Sequence, residues 1–398
     1  MKKLLFAVVT ALVCVFALNA LTACGNDDSS FKVGLICLHD ENSTYDKNFI
    51  DAMEVARKEL GLEKSQVIIK TGVPEDNSCL EAARDLVDQG CDVIIADSFG
   101  HQSYLLSAAK EFPNVQFCHA TGTLAHTSGL DNYHNAFASI YEGRYLAGVA
   151  AGLKLNEMIA NGEFTEEQAK IGYVGAWPYA EVKSGYTSFY LGAKSVCPTV
   201  TMEVRFTNSW YDETAEQSTA KALIQAGCKL ISQHADSMGA PTACEEAGVP
   251  NVSYNGSTIE SCPNTFLVSS KINWTPYYKL VIEAVRNNKA SDIPVDYVGT
   301  IATGSVQLTD VNTNAAASGT VEKLNEVKAK LENGTLKVFD TNNFTVNGKK
   351  LTSYLADVID DGTFQGETEV IIDGAFLESV KRSAPYFDLD IDGITIVK

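Results

Sequence analysis

The chain repeats itself once, in nearly constant register. Gly90-Cys91-Asp92-Val93-Ile94-Ile95-Ala96-Asp97-Ser98 returns as Gly227-Cys228-Lys229-Leu230-Ile231-Ser232-Gln233-His234-Ala235-Asp236-Ser237. Pro113-Asn114-Val115-Gln116-Phe117 returns as Pro250-Asn251-Val252-Ser253-Tyr254. Cys91 and Cys228 lie 137 positions apart, as do Pro113 and Pro250, and Lys32-Val33-Gly34-Leu35-Ile36 meets Lys170-Ile171-Gly172-Tyr173-Val174 at 138. A duplicated supersecondary unit explains this economically and limits the fold to two similar halves.

Each copy carries short Val- and Ile-rich runs, polar loops and helical patterns. Leu80 to Asp88 has apolar residues at helical spacing and stops at Gly90, and Ala220 to Ala226 does the same and stops at Gly227. Alternating buried strands and helices predict parallel sheets covered on both faces. The expected fold is therefore α/β, with two Rossmann-like lobes joined by a hinge and a cleft at the carboxyl ends of the strands. We assign 31–165 plus 275–310 to the first lobe, and 166–274 plus 311–398 to the second lobe with a C-terminal extension. In that extension a charged helix runs from Thr320 to Asn333, a hairpin turns at Asn347-Gly348, and short strands follow near Glu369–Gly374 and Gly393–Ile396.

Lys2 and Lys3 precede an apolar stretch from Leu4 to Leu18, closed by Leu21-Thr22-Ala23-Cys24. The stretch is too short to span a bilayer comfortably, so 1–23 reads as a signal peptide. The tetrad resembles the bacterial lipobox. That implies a lipidated Cys24, a tether over 24–30, and an exported chain anchored to the outer face of the cytoplasmic membrane. The net charge of −19, or −21 without Lys2 and Lys3, argues against nucleic acid as a partner. Of the remaining cysteines, Cys37, Cys91, Cys118 and Cys228 fall in or beside predicted strands as small hydrophobes, and Cys244 with Cys262 is the pair to inspect first for a disulfide.

The loops that follow the strands combine aromatic rings with carboxylates and amides. His39 to Phe49 includes Asp40 and Tyr45; Trp177 follows the counterpart strand; and Trp210 sits in Thr207 to Asp212. Asp97-Ser98-Phe99 and Asp236-Ser237-Met238 close the third strands, His119-Ala120-Thr121 and Asn255-Gly256 the fourth. Such loops suit a flat heteroaromatic ligand with polar edges. Trp177 and Trp274 read equally as hinge packing, and Asp236 as a helix cap.

Several of these segments resemble the BMP or PnrA-like substrate-binding lipoproteins of ABC transporters, which bind purine nucleosides or bases. The likeness rests on Lys32-Val33-Gly34-Leu35, Tyr45-Asp46-Lys47-Asn48-Phe49, Tyr141-Glu142-Gly143-Arg144-Tyr145-Leu146-Ala147-Gly148 and Asn208-Ser209-Trp210-Tyr211-Asp212. It also rests on Gln233 to Ser237, Tyr254-Asn255 and Asn273-Trp274-Thr275-Pro276-Tyr277-Tyr278. The resemblance implies the type I periplasmic-binding fold and a permease partner. It also implies a base sandwiched between Phe49 or Tyr45 and Trp210, with Asp40 and either His119 or Thr121 as polar ligands; to these we add Ser98, Asp236, Trp177 and Trp274 as ligand-binding candidates. Asn255 stands where nucleoside binders usually carry an Asp for the ribose, and Asn273 where they carry a Lys; these departures suit a free base such as adenine.

The sequence lacks GxSxG, HExxH, GxxxxGK[ST] and a strand-following GxGxxG, so a binder needing no cofactor or metal is the leading reading. The alternatives are an exported nucleoside hydrolase, with Asp40, Asp46 and Asp236 gathered about a metal, and a ligand-sensing receptor of the same fold.

Overall fold

A computed structural model describes residues 30–360, 362, 363 and 365–397. The expected signal peptide and Cys24 lie outside the described residues. In chain order the strands are β1 (Val33–Ile36), β2 (Val67–Lys70), β3 (Val93–Ala96), β4 (Gln116–Ala120), β5 (Tyr133–Ala138) and β6 (Lys170–Gly175). Next come β7 (Thr201–Phe206), β8 (Leu230–His234), β9 (Asn251–Tyr254), β10 (Phe266–Ile272), β11 (Asp296–Gly299) and β12 (Val306–Leu308). The extension adds β13 (Leu355–Ala356), β14 (Thr368–Glu369), β15 (Ile371–Ile372), β16 (Ala375–Phe376) and β17 (Ile394–Val397).

The duplication seen in the sequence is a duplication of sheets. One sheet has the order β2-β1-β3-β4-β5-β11, the other β17-β7-β6-β8-β9-β10-β12, and the five repeated strands hold the same places in each. Pairing is parallel throughout except where β12 runs against β10. Val93 to Ala96 is buried along its whole length, as a strand covered by helices on both faces must be. The helix after β2, Asn77–Asp88, begins with Asp76 accepting from Ser78 N; the helix after β7, Glu213–Gln225, begins with Asp212 accepting from Ala215 N. Both are followed by a left-handed glycine, Gly90 at φ 85° and Gly227 at φ 90°, where a side chain would be strained.

The lobe boundaries differ from the sequence expectation in two places. The helix Ile140–Ala160 follows β5 but packs on the second lobe, against the helix Ala180–Lys194. Glycines make this possible: a Cβ on Gly148 would collide with the Phe189 carbonyl, and one on Gly192 with the Tyr145 carbonyl. The returning segment splits, β11 closing the first sheet and β12 the second, so first-lobe sheet structure ends near residue 299 rather than 310.

The extension is built on the second lobe. After the helix Thr320–Glu332, Phe339 stacks on Phe387 at 4.4 Å, and Phe376 meets Phe387 at 4.7 Å. The expected turn forms, with Asn347 and Gly348 both at positive φ, but Val346 and Lys349 make one bridge there rather than a hairpin. β17 lies parallel beside β7 and closes that edge. All eight described cysteines are free and buried, so Cys244 and Cys262 are not bonded to one another. Among the described residues no helix is long and apolar enough to cross a membrane.

Candidate ligand cleft

The carboxyl ends of both sheets meet around a cavity with about 390 Å³ of empty space, part of it open to solvent. Leu38, His39, Tyr45, Asp46, Ser98, Phe99 and Thr121 line it from the first lobe; Glu181, Trp210, His234, Asp236 and Tyr254 line it from the second. Aromatic rings and carboxylates thus face the same space from opposite sides.

In the first lobe the polar loop winds around one carboxylate. Ser43 caps the helix Thr44–Glu59, its Oγ accepting from Asp46 N at 3.2 Å and donating to Asp46 Oδ2 at 2.5 Å. The other oxygen, Oδ1, accepts from His39 N at 2.8 Å. Burial pushes the Asp46 carboxyl up, but the hydrogen bonds from His39 and Ser43 outweigh it and leave Asp46 below the usual range. Beneath it Asp97 is fully buried, raised well above the usual range by desolvation and by the charge of Asp46. Tyr45 is fixed by donating its hydroxyl to the Asp97 carbonyl at 2.7 Å.

In the second lobe, Asp236 is buried and raised well above the usual range, by desolvation first and then by the Asp46, Glu216 and Glu181 charges. Asn255 Nδ2 donates to Asp236 Oδ1 at 3.4 Å. His234 Nε2 lies 3.2 Å from Glu181 Oε1. Thr121 and Asn255 end equivalent strands, and both take φ 65°, with their backbone N–H groups bonded to Ala136 O and Ser270 O respectively. A β-branched residue there is strained, a pattern found where binding loops are held in place.

The lobes touch directly at the rim. Thr44 N and Oγ1 donate to the Asp236 carbonyl at 3.1 and 3.2 Å, and Asn48 Nδ2 donates to Asn255 Oδ1 at 3.2 Å. Phe99 meets Tyr179 at 5.7 Å, and His39 meets Tyr211 at 5.4 Å.

Of the residues expected from sequence, Tyr45, Ser98, Thr121, Trp210 and Asp236 share the cavity wall. Asn255 stands behind Asp236, and His119 stands behind Ser98 with Nε2 on the Ser98 carbonyl at 2.8 Å. The others lie elsewhere. Phe49 is one helical turn below Tyr45 and stacks on Trp274 at 4.4 Å, both inside the core beside Phe137. Asn273 accepts from Thr275 N at 3.2 Å at the head of the helix Thr275–Arg286 and donates to the Gly304 carbonyl. Trp177 is not on the wall; it stacks on Tyr179 at 5.9 Å. Asp40 is exposed and accepts from Asn42 N and Nδ2, so Asp40, Asp46 and Asp236 do not gather about a metal. Among the described residues the acidic trio close enough to share an ion is Cys37, Asp46 and Asp97.

Sequence reading passed over His39, Phe99, Glu181, His234 and Tyr254. His234 and Tyr254 are the last residues of β8 and β9, so the rule that ligands meet strand ends points to them. Glu181, in the first turn of a helix, has no such signal.

Comparison with known proteins agrees with this architecture. Over 226 residues the chain is 34% identical to a purine-binding protein of Brucella abortus, covering 56% of this chain and 60% of that one. Over 194 residues it is 35% identical to a protein of Haloferax volcanii named as an ABC transporter glucose-binding protein, covering 49% and 46%. The matches thus take in only about half of these relatives' own length. Among solved structures, solute-binding proteins of ABC transporter systems from Conexibacter woesei and Aeropyrum pernix superpose with TM-scores of 0.61 and 0.64, at 20% and 16% identity. They cover 77% and 78% of this chain and 98% and 93% of their own, and at that identity they speak for the fold alone. Residues 34–342 match the family described as ABC transporter substrate-binding protein PnrA-like, and the chain belongs to that family.

Proposed function

We propose that this substrate-binding protein captures a purine, free base or nucleoside, between its lobes and delivers it to an ABC permease. The observation that carries the reading is the cavity itself: Tyr45 and Phe99 from one lobe and Trp210 and Tyr254 from the other line it, together with Asp46, Glu181 and Asp236. Rings from two lobes offer a planar heteroaromatic its stacking faces, and carboxyl oxygens accept from its N–H groups in plane. The purine-binding relative supports the same ligand class. Ser98 and Thr121 supply hydroxyls, and Asn255 holds Asp236 in place. Contacts made from both lobes favour the shut form, so binding and closure are one equilibrium. The chain is exported, and a lipid on Cys24 keeps it beside its permease.

Calorimetry of the protein with adenine, adenosine and glucose tests the ligand class. Tight, saturable purine binding with the ligand recovered intact is expected. Glucose binding without purine binding refutes the reading, and release of free base from adenosine points to the hydrolase instead. Loss of membrane association in Cys24→Ala tests the anchor.

A further inference from the structure

Behind the second-lobe wall lies a buried cation that touches the cavity only through its neighbours. Arg144 is 1% exposed. Its Nη1 donates to the Gln233 carbonyl at 2.9 Å, and its guanidinium carbon lies 3.3 Å from the centre of the Tyr254 ring, while Nε and Nη2 have no hydrogen-bond partner. His234, 2% exposed, places Nε2 against Glu181 Oε1 and leaves Nδ1 equally without a partner. Two of these three unpartnered atoms, His234 Nδ1 and Arg144 Nε, lie beside Gly185. A methyl group there would sit 2.8 Å from His234 Nδ1 and 3.6 Å from Arg144 Nε, so only glycine leaves that space open.

These neighbours select one imidazole tautomer. A neutral imidazole has one N–H; a carboxylate can only accept and a guanidinium can only donate. The proton on Nε2 satisfies Glu181 and turns the bare Nδ1 toward Arg144. The opposite tautomer sets N–H against the cation and a lone pair against the carboxylate. Burial, with the Arg144 charge, holds His234 down at about 4, so the ring stays neutral even beside Glu181. Among the described residues Glu181 Oε2 has no hydrogen-bond partner, and Glu181 lines the cavity.

We propose that Arg144 is a positioning residue that acts through His234 to hold Glu181 as the hydrogen-bond acceptor for an N–H group of the ligand. This rests on the purine reading for its ligand but not for its geometry. The second lobe then reads a donor edge, such as an amino group or a ring N–H, and disfavours a carbonyl placed against Glu181.

Nitrogen-15 NMR of the ligand-free full chain, with labelled histidine, tests the relay without any ligand. The expected spectrum has His234 protonated at Nε2 and bare at Nδ1 near neutral pH. A ring protonated at Nδ1, or at both nitrogens, overturns the proposal even if no variant folds. Calorimetry with adenine tests the consequence. Glu181→Gln and Arg144→Met are each expected to weaken binding about tenfold or more, with Arg144→Lys recovering part of the loss and the double variant no weaker than Glu181→Gln alone. Wild-type affinity in folded Arg144→Met also overturns it. A wild-type protein that binds no purine defeats the functional reading instead, and the NMR result alone then decides the relay.

Discussion

Two aromatic residues that the sequence offers as ligand platforms, Phe49 as an alternative to Tyr45 and Trp210 on the opposite lobe, lie in different surroundings. Trp210 is half-buried on the cavity wall, where the proposed purine would meet its ring. Trp210→Ala is expected to weaken adenine binding about tenfold or more, beyond the ~1 kcal/mol of ring stacking because contact area is lost as well, with little change in melting temperature. Calorimetry and a thermal melt on the same preparation check this; unchanged affinity removes Trp210 from the site. Phe49 is fully buried against Trp274 and Phe137. Phe49→Ala is expected to cost about 3–5 kcal/mol of stability by urea denaturation, because the ring leaves a cavity in a packed core. A stability change below about 1 kcal/mol contradicts that placement. Sequence does not separate Phe49 from Tyr45, because the two lie on one face of one helix, 4.9 Å apart, and only the depth of that face decides which ring meets the cleft.

Between elements, the loops of the second lobe rest on one buried acid. Glu216, on the helix Glu213–Gln225, accepts from Ser237 N at 3.2 and 3.3 Å and from Asp212 N at 3.2 Å, pinning the loop that carries Asp236. Burial pushes its carboxyl up from 4.5 to about 7, against the pull of those hydrogen bonds. Between these values the folded chain keeps a proton that the unfolded chain has released, so this contribution is full below 4.5, falls as the pH rises and is gone above about 7. Glu216→Gln should remove that slope, so the wild-type minus variant stability difference declines from pH 4.5 to 7 in denaturant titrations; a flat or rising difference contradicts it. At this scale much was legible. The 137-residue echo gives two sheets of one strand order, and Gly90 and Gly227 end matching helices. The lobe to which Ile140–Ala160 belongs was not legible, since it depends on backbone approach at Gly148 and Gly192, nor was the partition of β11 and β12. Glu181 and Arg144 enter the site from helices, outside the rule that led to the strand ends.

Across the whole molecule, the proposed closure depends on what spans the two lobes. The chain itself crosses after β5, after β10 and between β11 and β12. The extension adds a tie that is not covalent. β17 and the Lys183–Asp390 ion pair fasten it to the second lobe, while Ser383 N and Oγ donate to Asp296 Oδ1 in β11 at 2.9 and 2.7 Å. Asp296 belongs to the first sheet, and its other oxygen lies 3.6 Å from His126 Nδ1. In the rim-contact arrangement, with Thr44 on Asp236 and Asn48 on Asn255, the tie is made. Opening must then either carry Asp296 away from Ser383 or strain the extension against β7. In both cases the tie adds to the stability of the closed form alone, and removing it shifts the population toward open. Charge-assisted hydrogen bonds to a largely buried carboxylate are worth about 1.5–3 kcal/mol, so Asp296→Ala should lower the ligand-free closed-to-open ratio about tenfold or more. Small-angle scattering should show a larger radius of gyration for the ligand-free variant than for wild type. The two curves should converge when saturating adenine closes both. Identical ligand-free curves would mean that the extension rides with one lobe as passive bulk, and the tie would have no part in closure.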